Sequence, residues 1–329
     1  MALRIVFQRE DLQRLRIAAS ADPMWELVLS AHHARLRRPP SRYLSWRQEL
    51  GERASRSGVL CGRLGPFWEL VPVRGDFPDF LTPSAAVSDI DAGCAALATT
   101  SRRRLGRDLA AAFSGGTVST WARSLAAGDR RQVSALVEAV RGGYELLVSP
   151  WWHHVQAAVR ADRAVRMEQT ADRGLASMLS GLPGVVGWDG RVLETDYPEQ
   201  RTIELNGRGI TLIPSYFCWG PPVALIDGEL PPVLVYSATP ERGRPLGTPP
   251  EALVTLLGGT RARCLHALLR PRTTSVLAAS VGVTPGAASK HATALREAGL
   301  ITSSRDGASV VHHVSELGAS LLAQDRPAR

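Results

Sequence analysis

The residues most suited to chemistry lie near the C-terminus, in the stretch VTPGAASKHATALREAGL, residues 283–300. Ala288, Ala292 and Leu295 recur at helical spacing and are expected to face a core. The opposite face carries small and polar residues together with Lys290, the only lysine in the chain. Hydroxyl and ammonium groups donate hydrogen bonds to base edges and phosphates, and small residues let a helix end enter the major groove of DNA. The stretch therefore predicts a helix that contacts duplex DNA.

Cap and breaker residues predict the elements that position this helix. TRARCLHALLR predicts a helix that begins at a Thr260 cap, and TSVLAASVG predicts a short helix with a Thr274 cap that ends at Gly282. The third helix is expected to begin after a Thr284 cap, with proline at its first position, and to end at Gly299 in a left-handed conformation. Two helices joined by a tight turn are the result.

Two strands and a last helix are expected to follow. LITSSRDGASVVHHV predicts a hairpin around residues 305–308, and SELGASLLA predicts a capped closing helix. Three helices with a tight turn, followed by a β-hairpin, have the order of a winged helix-turn-helix.

The predicted DNA contacts combine base reading with phosphate binding. The residues expected to contact DNA are Thr274, Thr284, Pro285, Gly286, Ala287, Ser289, Lys290, Thr293, Arg296 and Arg305. Arg270 and Arg272 are candidates for further phosphate contacts. A helical hairpin with the same apolar pattern and no role in DNA binding is the alternative, and the ordered set of helices, turn and hairpin argues against it.

The stretch LAASVGVTPGAASKHATALREAGLI and the hairpin after it resemble the helix-turn-helix and wing of ArsR-type bacterial repressors. The resemblance covers residues 251–322. It implies a homodimer on a two-fold operator, with dimer contacts made through the helices that flank the winged module. The upstream part, including GDFPDFLTP and LNGRGITLIPSYFCW, is similar to the long N-terminal region of an actinobacterial ArsR-like subgroup, and that similarity implies no particular function.

Two departures from the ArsR pattern argue against the sensing of inorganic metals. Metal sensors of that type carry a cysteine motif on the first helix of the helix-turn-helix, where this chain has SVLAAS. Their alternative ligands on the last helix include histidine, and SELGASLLAQDR has none. Six of the eight histidines form adjacent pairs whose side chains point in different directions, so we expect no metal and no cofactor.

The bulk composition favours a soluble chain with an anionic partner. The formal net charge is +8, the isoelectric point is about 10.0 and 44% of the 329 residues are hydrophobic. Part of this basicity reflects an arginine bias, since arginine supplies all but one of the 39 basic residues. The four cysteines are far apart, and neither a signal-peptide core nor an unbroken apolar run of membrane-spanning length is found. We therefore expect a cytoplasmic protein.

The predicted fold class is α+β, with a large, mostly helical N-terminal domain that contains antiparallel β hairpins, followed by the winged helix-turn-helix. Helices are expected from Pro23 and over residues 86–180, and the β region over residues 184–237. VVGWDGRVLE and TIELNGRGITLI each contain a turn dipeptide that favours a hairpin. The predicted domains are residues 1–237, of dimerisation or effector function, a linker at 238–250 and the DNA-binding module at 251–329.

Aromatic residues near the change from helices to strands are candidates for an effector site. Trp151, Trp152, Trp188, Phe217 and Trp219 are expected either to line a pocket for a small organic effector or to belong to the core.

Other function classes have less support in the sequence. No nucleophile elbow, phosphate-binding loop, dinucleotide fingerprint or metalloprotease motif is found, so we predict no catalytic residues. The alternatives to DNA binding are a protein-interaction adaptor built on a winged helix, which an apolar third helix would favour, and an enzyme within residues 1–237. A deep pocket that holds a coupled nucleophile and base would favour the enzyme.

Overall fold

The computed structural model describes residues 2–36, 39–56, 58, 63–73, 75–83, 89–113, 119–225, 227–228, 230–238, 251–268, 272–306 and 309–323. These residues divide into two compact units. The N-terminal unit lies within Met1–Pro39 and Ser45–Pro240, and the C-terminal unit lies within Pro40–Leu44 and Glu241–Arg329. The division after Pro240 falls inside the predicted linker, most of which lies outside the described residues. The grouping of Pro40–Leu44 with the C-terminal unit was not predicted.

Helices account for most of the chain up to residue 200. They are α1 Arg9–Gln13, α2 Pro23–Arg35, α3 Leu44–Arg56, α4 Gly65–Leu70, α5 Ile90–Ala98, α6 Arg102–Ala112, α7 Thr120–Ala126, α8 Arg130–Leu147 and α9 Trp152–Ser180, with short 3-10 turns at Ser41–Tyr43, Asp79–Leu81 and Ser149–Trp151. The strands are β1 Ala2–Val6, β2 Arg16–Ile17, β3 Val185–Trp188, β4 Val192–Asp196, β5 Arg201–Glu204, β6 Thr211–Ser215 and β7 Val233–Ser237. The helices predicted from Pro23 and over residues 86–180 are confirmed.

Side-chain caps fix where these helices begin. The carboxylate of Asp22 accepts hydrogen bonds from the backbone N–H groups of Met24 and Trp25, at 2.9 and 3.2 Å. Pro23 occupies the first position of α2, where its missing N–H costs nothing. The helices α5 to α8 each follow an aspartate or serine that caps in the same way: Asp89, Ser101, Ser119 and Asp129.

The first sheet has the strand order β3-β4-β1-β5. β3 and β4 form the antiparallel hairpin that VVGWDGRVLE predicts, and Asp189 holds its turn by accepting hydrogen bonds from the backbone N–H groups of Arg191 and Val192. β1 pairs antiparallel with β4 and parallel with β5. The chain start is therefore held in the middle of this sheet.

The second sheet, β2-β6-β7, is parallel throughout, so the prediction of an antiparallel β region over residues 184–237 is wrong for this part. The hairpin predicted in TIELNGRGITLI is also wrong, because its two arms are β5 and β6, which belong to different sheets. Asn206 and Gly207 do make a turn with positive φ, 52° and 77°. The turn redirects the chain from one sheet to the other.

The physical reason is that residues 201–215 run alongside residues 2–17. The short alternating runs near the N-terminus form β1 and β2, and α1 separates them. Asp11 of α1 is fully buried, and its carboxylate accepts hydrogen bonds from the backbone N–H groups of Gln8 and Gly209, at 2.7 and 2.8 Å. A Cβ atom at Gly209 would lie 2.6 Å from the Arg14 carbonyl oxygen. The β5–β6 turn thus packs on α1, and its arms pair with β1 and β2 rather than with each other.

One apolar core joins the two sheets to the end of α9. It consists of Leu3, Ile5, Phe7, Met178, Leu179, Leu182, Leu193, Leu205, Ile210, Leu212, Ala224, Leu234 and Tyr236. All five residues of β7 are buried, which matches the continuous apolar sequence VLVYS and the position of this strand in a parallel sheet.

A buried carboxylate connects α2 to the end of β6. Glu26 is fully buried and accepts hydrogen bonds from the Ser215 hydroxyl and the backbone N–H groups of Tyr216 and Phe217, at 3.0, 2.8 and 3.0 Å. Burial raises the pKa of Glu26 to about 7, although the three hydrogen bonds lower it. The loop after β6 is therefore fixed by a group that titrates near neutral pH.

The C-terminal unit consists of short helices and one small sheet. Its elements are α10 Glu251–Leu257, α11 Gly259–Ala267, β8 Arg272–Thr273, α12 Thr274–Val281, α13 Pro285–Glu297, β9 Ile301–Asp306, β10 Ser309–Val314 and α14 Glu316–Ala323. The sheet has the order β8-β10-β9 and is antiparallel. The chain as a whole combines helices with several small sheets, in agreement with the predicted α+β class at that level.

The stability of the N-terminal unit is expected to depend on the ionisation of Glu26. Because the folded pKa of about 7 lies above the ordinary 4.5, the carboxyl group contributes stability below pH 4.5 that is lost as the pH rises through 7. Glu26→Gln cannot ionise. As the pH rises from 4.5 to 7, wild type loses stability and Glu26→Gln does not. We therefore expect the free energy of unfolding of Glu26→Gln, relative to that of wild type, to increase by up to ~3 kcal/mol.

Tryptophan fluorescence during denaturant unfolding reports on this unit, since all eight tryptophans lie between residues 25 and 219. The matched control is Glu145→Gln, an exposed glutamate on α8, whose stability should follow the wild-type pH curve. Parallel curves for wild type and Glu26→Gln would contradict the role assigned to this carboxylate.

Candidate nucleic-acid interface

A capped tight turn joins α12 to α13. Gly282 ends α12 in the left-handed conformation, with φ 69° and ψ 41°, and the N–H of Val283 donates to the Ala278 carbonyl oxygen at 3.0 Å. The Thr284 hydroxyl then accepts a hydrogen bond from the N–H of Ala287 at 3.3 Å, and Pro285 is the first residue of α13. The predicted turn, cap and helix start are confirmed.

Small side chains let α12 and α13 cross closely. Ala278, Ala288 and Ala292 are each at most 2% exposed, and Leu277, Val281 and Leu295 fill the space around them. The full set of buried residues in the core of this unit is Leu253, Ala262, Cys264, Leu265, Ala267, Leu268, Leu277, Ala278, Val281, Ala288, Ala292, Leu295, Leu300, Ile301 and Leu322. The inward face predicted for the two helices is confirmed, with Val283 half-buried at its edge.

The opposite face of α13 lies open to solvent. The exposed residues of the predicted contact set are Thr284, Pro285, Gly286, Ser289, Lys290 and Arg296, and Ala287 and Thr293 are half-buried. The exposed part of the first two turns carries no large apolar side chain. One ammonium group, one hydroxyl group and the backbone N–H of Gly286 are thus presented together, since Pro285 has no N–H and that of Ala287 is bound by Thr284.

The hairpin after α13 contributes Ile301 to the core of this unit, and Val314 packs against that core. β9 and β10 pair in register from Ile301 opposite Val314 to Asp306 opposite Ser309. Arg305 is exposed near the end of β9, and the predicted hairpin residues 307 and 308 lie outside the described residues. Arg305 therefore lies at the end of β9 that is farther from α13 in sequence.

Two of the predicted caps are wrong. Thr260 lies inside α11, which begins after Gly258 without a side-chain cap. The cap of α12 is Thr273, whose hydroxyl accepts from the N–H of Val276 at 3.3 Å. Thr273 and Thr274 are adjacent, so α12 begins one residue earlier than predicted.

Thr274 is instead part of a hydrogen-bonded chain that the sequence did not reveal. His312 on β10 is 4% exposed, and its two ring nitrogens lie 2.9 Å from the Thr274 hydroxyl and 2.8 Å from the Ser303 hydroxyl. The imidazole thus connects the start of α12 to both strands of the hairpin. The only signal in the sequence was the pair His312-His313, since neighbours on a strand face opposite sides and one of them turns inward.

The two predicted phosphate contacts differ in what the structure places around them. Arg270 lies outside the described residues. Arg272 is half-buried, and its Nε–H donates to the Ala267 carbonyl oxygen at 2.9 Å, which caps the end of α11. The Nε–H of Arg272 therefore stabilises the fold of the unit and is not available to a phosphate.

Two residues of the predicted effector pocket pack in the N-terminal unit. Trp188 packs edge-on against Phe7, with ring centroids 5.2 Å apart, next to the core that joins the two sheets. Phe217 is fully buried, and its ring centroid lies 5.0 Å from that of Trp46. These contacts favour the core alternative for both residues.

The other three candidates lie nearer the surface. Trp151 donates from its indole N–H to the Glu49 carboxylate at 3.0 Å, and Trp152 packs edge-on against Tyr144. Trp219 is 38% exposed. The described contacts of Trp151 and Trp152 are with residues outside the predicted pocket, so they support packing rather than a shared binding site.

Neither metal binding nor membrane insertion gains support from the described ranges. Within them, no three His, Cys, Asp or Glu side chains converge on a point where a metal ion would bind. A membrane-crossing helix needs a long apolar run, and none of the helices in the described part of the chain has one.

Compared with protein-family models, with curated proteins and with solved structures, the chain has no match in any of the three. Its function must therefore be argued from the geometry of the C-terminal unit.

The position of His312 predicts its titration. Burial lowers the pKa of this imidazole below the ordinary 6.5, and the positive charge of Arg296 lowers it further. We expect the His312 ring resonances to titrate below pH 6.5 in a histidine-labelled NMR experiment, and Arg296→Gln to raise that midpoint. Arg263→Gln, an exposed arginine on α11, should leave it unchanged. A midpoint at or above 6.5 in the wild type would count against the buried position.

Proposed function

We propose that the chain is a cytoplasmic, sequence-specific transcriptional regulator whose C-terminal unit is a winged helix-turn-helix of the ArsR type. In this proposal α13 is the recognition helix in the major groove, and the β9–β10 hairpin is the wing beside it. The N-terminal unit supplies regulation or assembly.

The observation that carries the proposal is the exposed start of α13. Gly286, Ser289 and Lys290 lie in solvent on a helix whose first turn is held by a side-chain cap and whose other face is packed into a core. A helix presented in this way can enter the major groove without a steric barrier, and its hydroxyl and ammonium groups can donate to base acceptors.

The residue types on the exposed face of α13 favour DNA binding over the protein-interaction adaptor. Protein-binding helices present large apolar or aromatic anchors, since these supply most of the binding energy in protein interfaces. The exposed residues of α13 are small or polar, so this face is suited to a polar ligand. The net charge of residues 250–329, nine basic against five acidic side chains, has the sign that phosphate binding needs.

Exposed leucines on the two flanking helices support a homodimer. Leu256 on α10 is 67% exposed and Leu317 on α14 is 56% exposed, whereas most leucines of this unit are buried. A second copy of the chain would remove this apolar surface from water. A dimer places two copies of α13 on a two-fold operator, with half-sites separated by about one helical turn of DNA.

Lys290→Ala tests the assignment of the recognition helix. We expect the preference for specific over random DNA to fall by about 1–3 kcal/mol, because one donor to a base is lost. The operator must first be obtained by in vitro selection of bound DNA, and a gel-shift titration then measures both affinities.

The control for charge is Arg263→Ala, which removes one positive charge from the exposed face of α11. We expect this variant to change affinity for both DNAs alike, if at all. Unchanged discrimination in Lys290→Ala, or an equal loss in the control, would reject α13 as the reading element.

Leu317→Glu tests the dimer. A carboxylate in an apolar interface is costly, so we expect sedimentation to show a monomer and specific DNA affinity to fall by at least about a hundredfold. Val186→Glu, at an exposed valine of β3, is the matched control and should remain dimeric. A wild-type monomer that binds the operator at full affinity would refute the dimer while leaving DNA binding intact.

A further inference from the structure

A groove in the N-terminal unit, separate from the elements proposed to bind DNA, has the size of a small-molecule site. It has a volume of about 460 Å³ and lies where the end of α5, the start of α6 and the first three turns of α8 meet. The lining residues are Ala98, Thr100, Arg102, Leu105, Gly128, Arg130, Val133, Ser134, Val137 and Glu138. Ligand sites in proteins typically measure about 300–1,000 Å³.

One face of α8 forms a wall of the groove. The lining positions 130, 133, 134, 137 and 138 are spaced three and four residues apart, so they lie along a single stripe of the helix. Val133 and Val137 are half-buried on this stripe, and Leu105 of α6 is buried opposite them. The floor of the groove is therefore aliphatic and suited to an apolar body.

Two arginines at the opening of the groove have no partner in the described part of the chain. Neither Arg102 nor Arg130 makes a side-chain hydrogen bond or an ion pair with any described residue, and both are exposed. By contrast, the guanidinium of Arg166 in this unit pairs with the buried Asp162. Among the described residues that line the groove, Glu138 is the only acidic one, so the two arginines leave an excess of positive charge.

The turn before α8 holds one of these arginines in place. Gly128 has φ 78°, and a Cβ atom there would lie 3.1 Å from the Cβ of Arg102 and 3.3 Å from its Cγ. The stem of Arg102 thus lies against the backbone of this turn, where any other residue would displace it. The close approach places the stem of Arg102 at the edge of the groove.

We propose that this groove binds an organic anion with an apolar body, such as an aryl or alkyl carboxylate. The apolar body lies on Leu105, Val133 and Val137, and the anionic group pairs with the guanidinium groups of Arg102 and Arg130. The Ser134 hydroxyl supplies a further donor. Binding at this site is independent of the proposed DNA contacts, so each proposal can fail alone.

The test uses anilinonaphthalene sulfonate as the probe, an anion with an aromatic body whose fluorescence rises in apolar surroundings. Titration of the full chain should show one saturable site. Uncharged phenylnaphthylamine, which has the same ring body, should bind at least about tenfold more weakly because it lacks the charge-assisted hydrogen bonds. Equal binding of both probes would overturn the proposal.

Variants locate the site. Arg102→Gln and Arg130→Gln should each raise the dissociation constant of the sulfonate about tenfold. The controls Arg103→Gln and Arg131→Gln remove the neighbouring exposed arginines on the same helices, which do not line the groove, and should bind as wild type.

A variant of the aliphatic floor tests whether the probe lies in the groove and does not bind through surface charge alone. Val137→Asp should abolish binding of the sulfonate while circular dichroism shows an unchanged helix content. If the sulfonate binds the double variant Arg102→Gln, Arg130→Gln as tightly as wild type, the groove is not its site and the proposal is rejected. Loss of DNA binding by Lys290→Ala has no bearing on this result.

Discussion

A single buried carboxylate, that of Asp11, sets the alignment on which the N-terminal unit depends. It accepts hydrogen bonds from the backbone N–H groups of Gln8 and Gly209, residues just over two hundred positions apart. An unpaired N–H or carboxylate oxygen at this depth would cost several times what one hydrogen bond contributes, so the two chain segments are held in one register. With α1 and the turn after β5 fixed together, β1 pairs with β5 and β2 pairs with β6, both in parallel. The two sheets and the core between them follow from this pairing.

The C-terminal unit depends on a different constraint, which is the small size of the side chains between α12 and α13. Ala278, Ala288 and Ala292 let two helices approach closely. Different residues, among them Gly286, Ser289 and Lys290, form the exposed face of α13. His312 then joins the start of α12 to both strands of the hairpin through two hydroxyl groups.

Local signals predicted much of the fold, because helix caps and apolar periodicity act over a few residues. The turn at Gly282, the Thr284 cap and the inward face of α13 were predicted on these grounds. The antiparallel arms expected around Asn206 were wrong, since turn propensity says where the chain bends but not which strands lie nearby. The hydroxyl contacts of His312 and the groove beside Arg102 each bring together residues distant in sequence, and neither has a local signature.

The sequence by itself determined the positions of most helices, the class of the fold and the residues that could face DNA, because each of these depends on side chains within one or two turns of each other. Only the tertiary structure decided that the second sheet is parallel, that Asp11 aligns the two sheets and that two arginines open onto an aliphatic groove. Those features depend on the burial of polar groups and on distances between remote segments. The physical reason is that desolvation is a property of the packed chain, and no stretch of residues carries it alone.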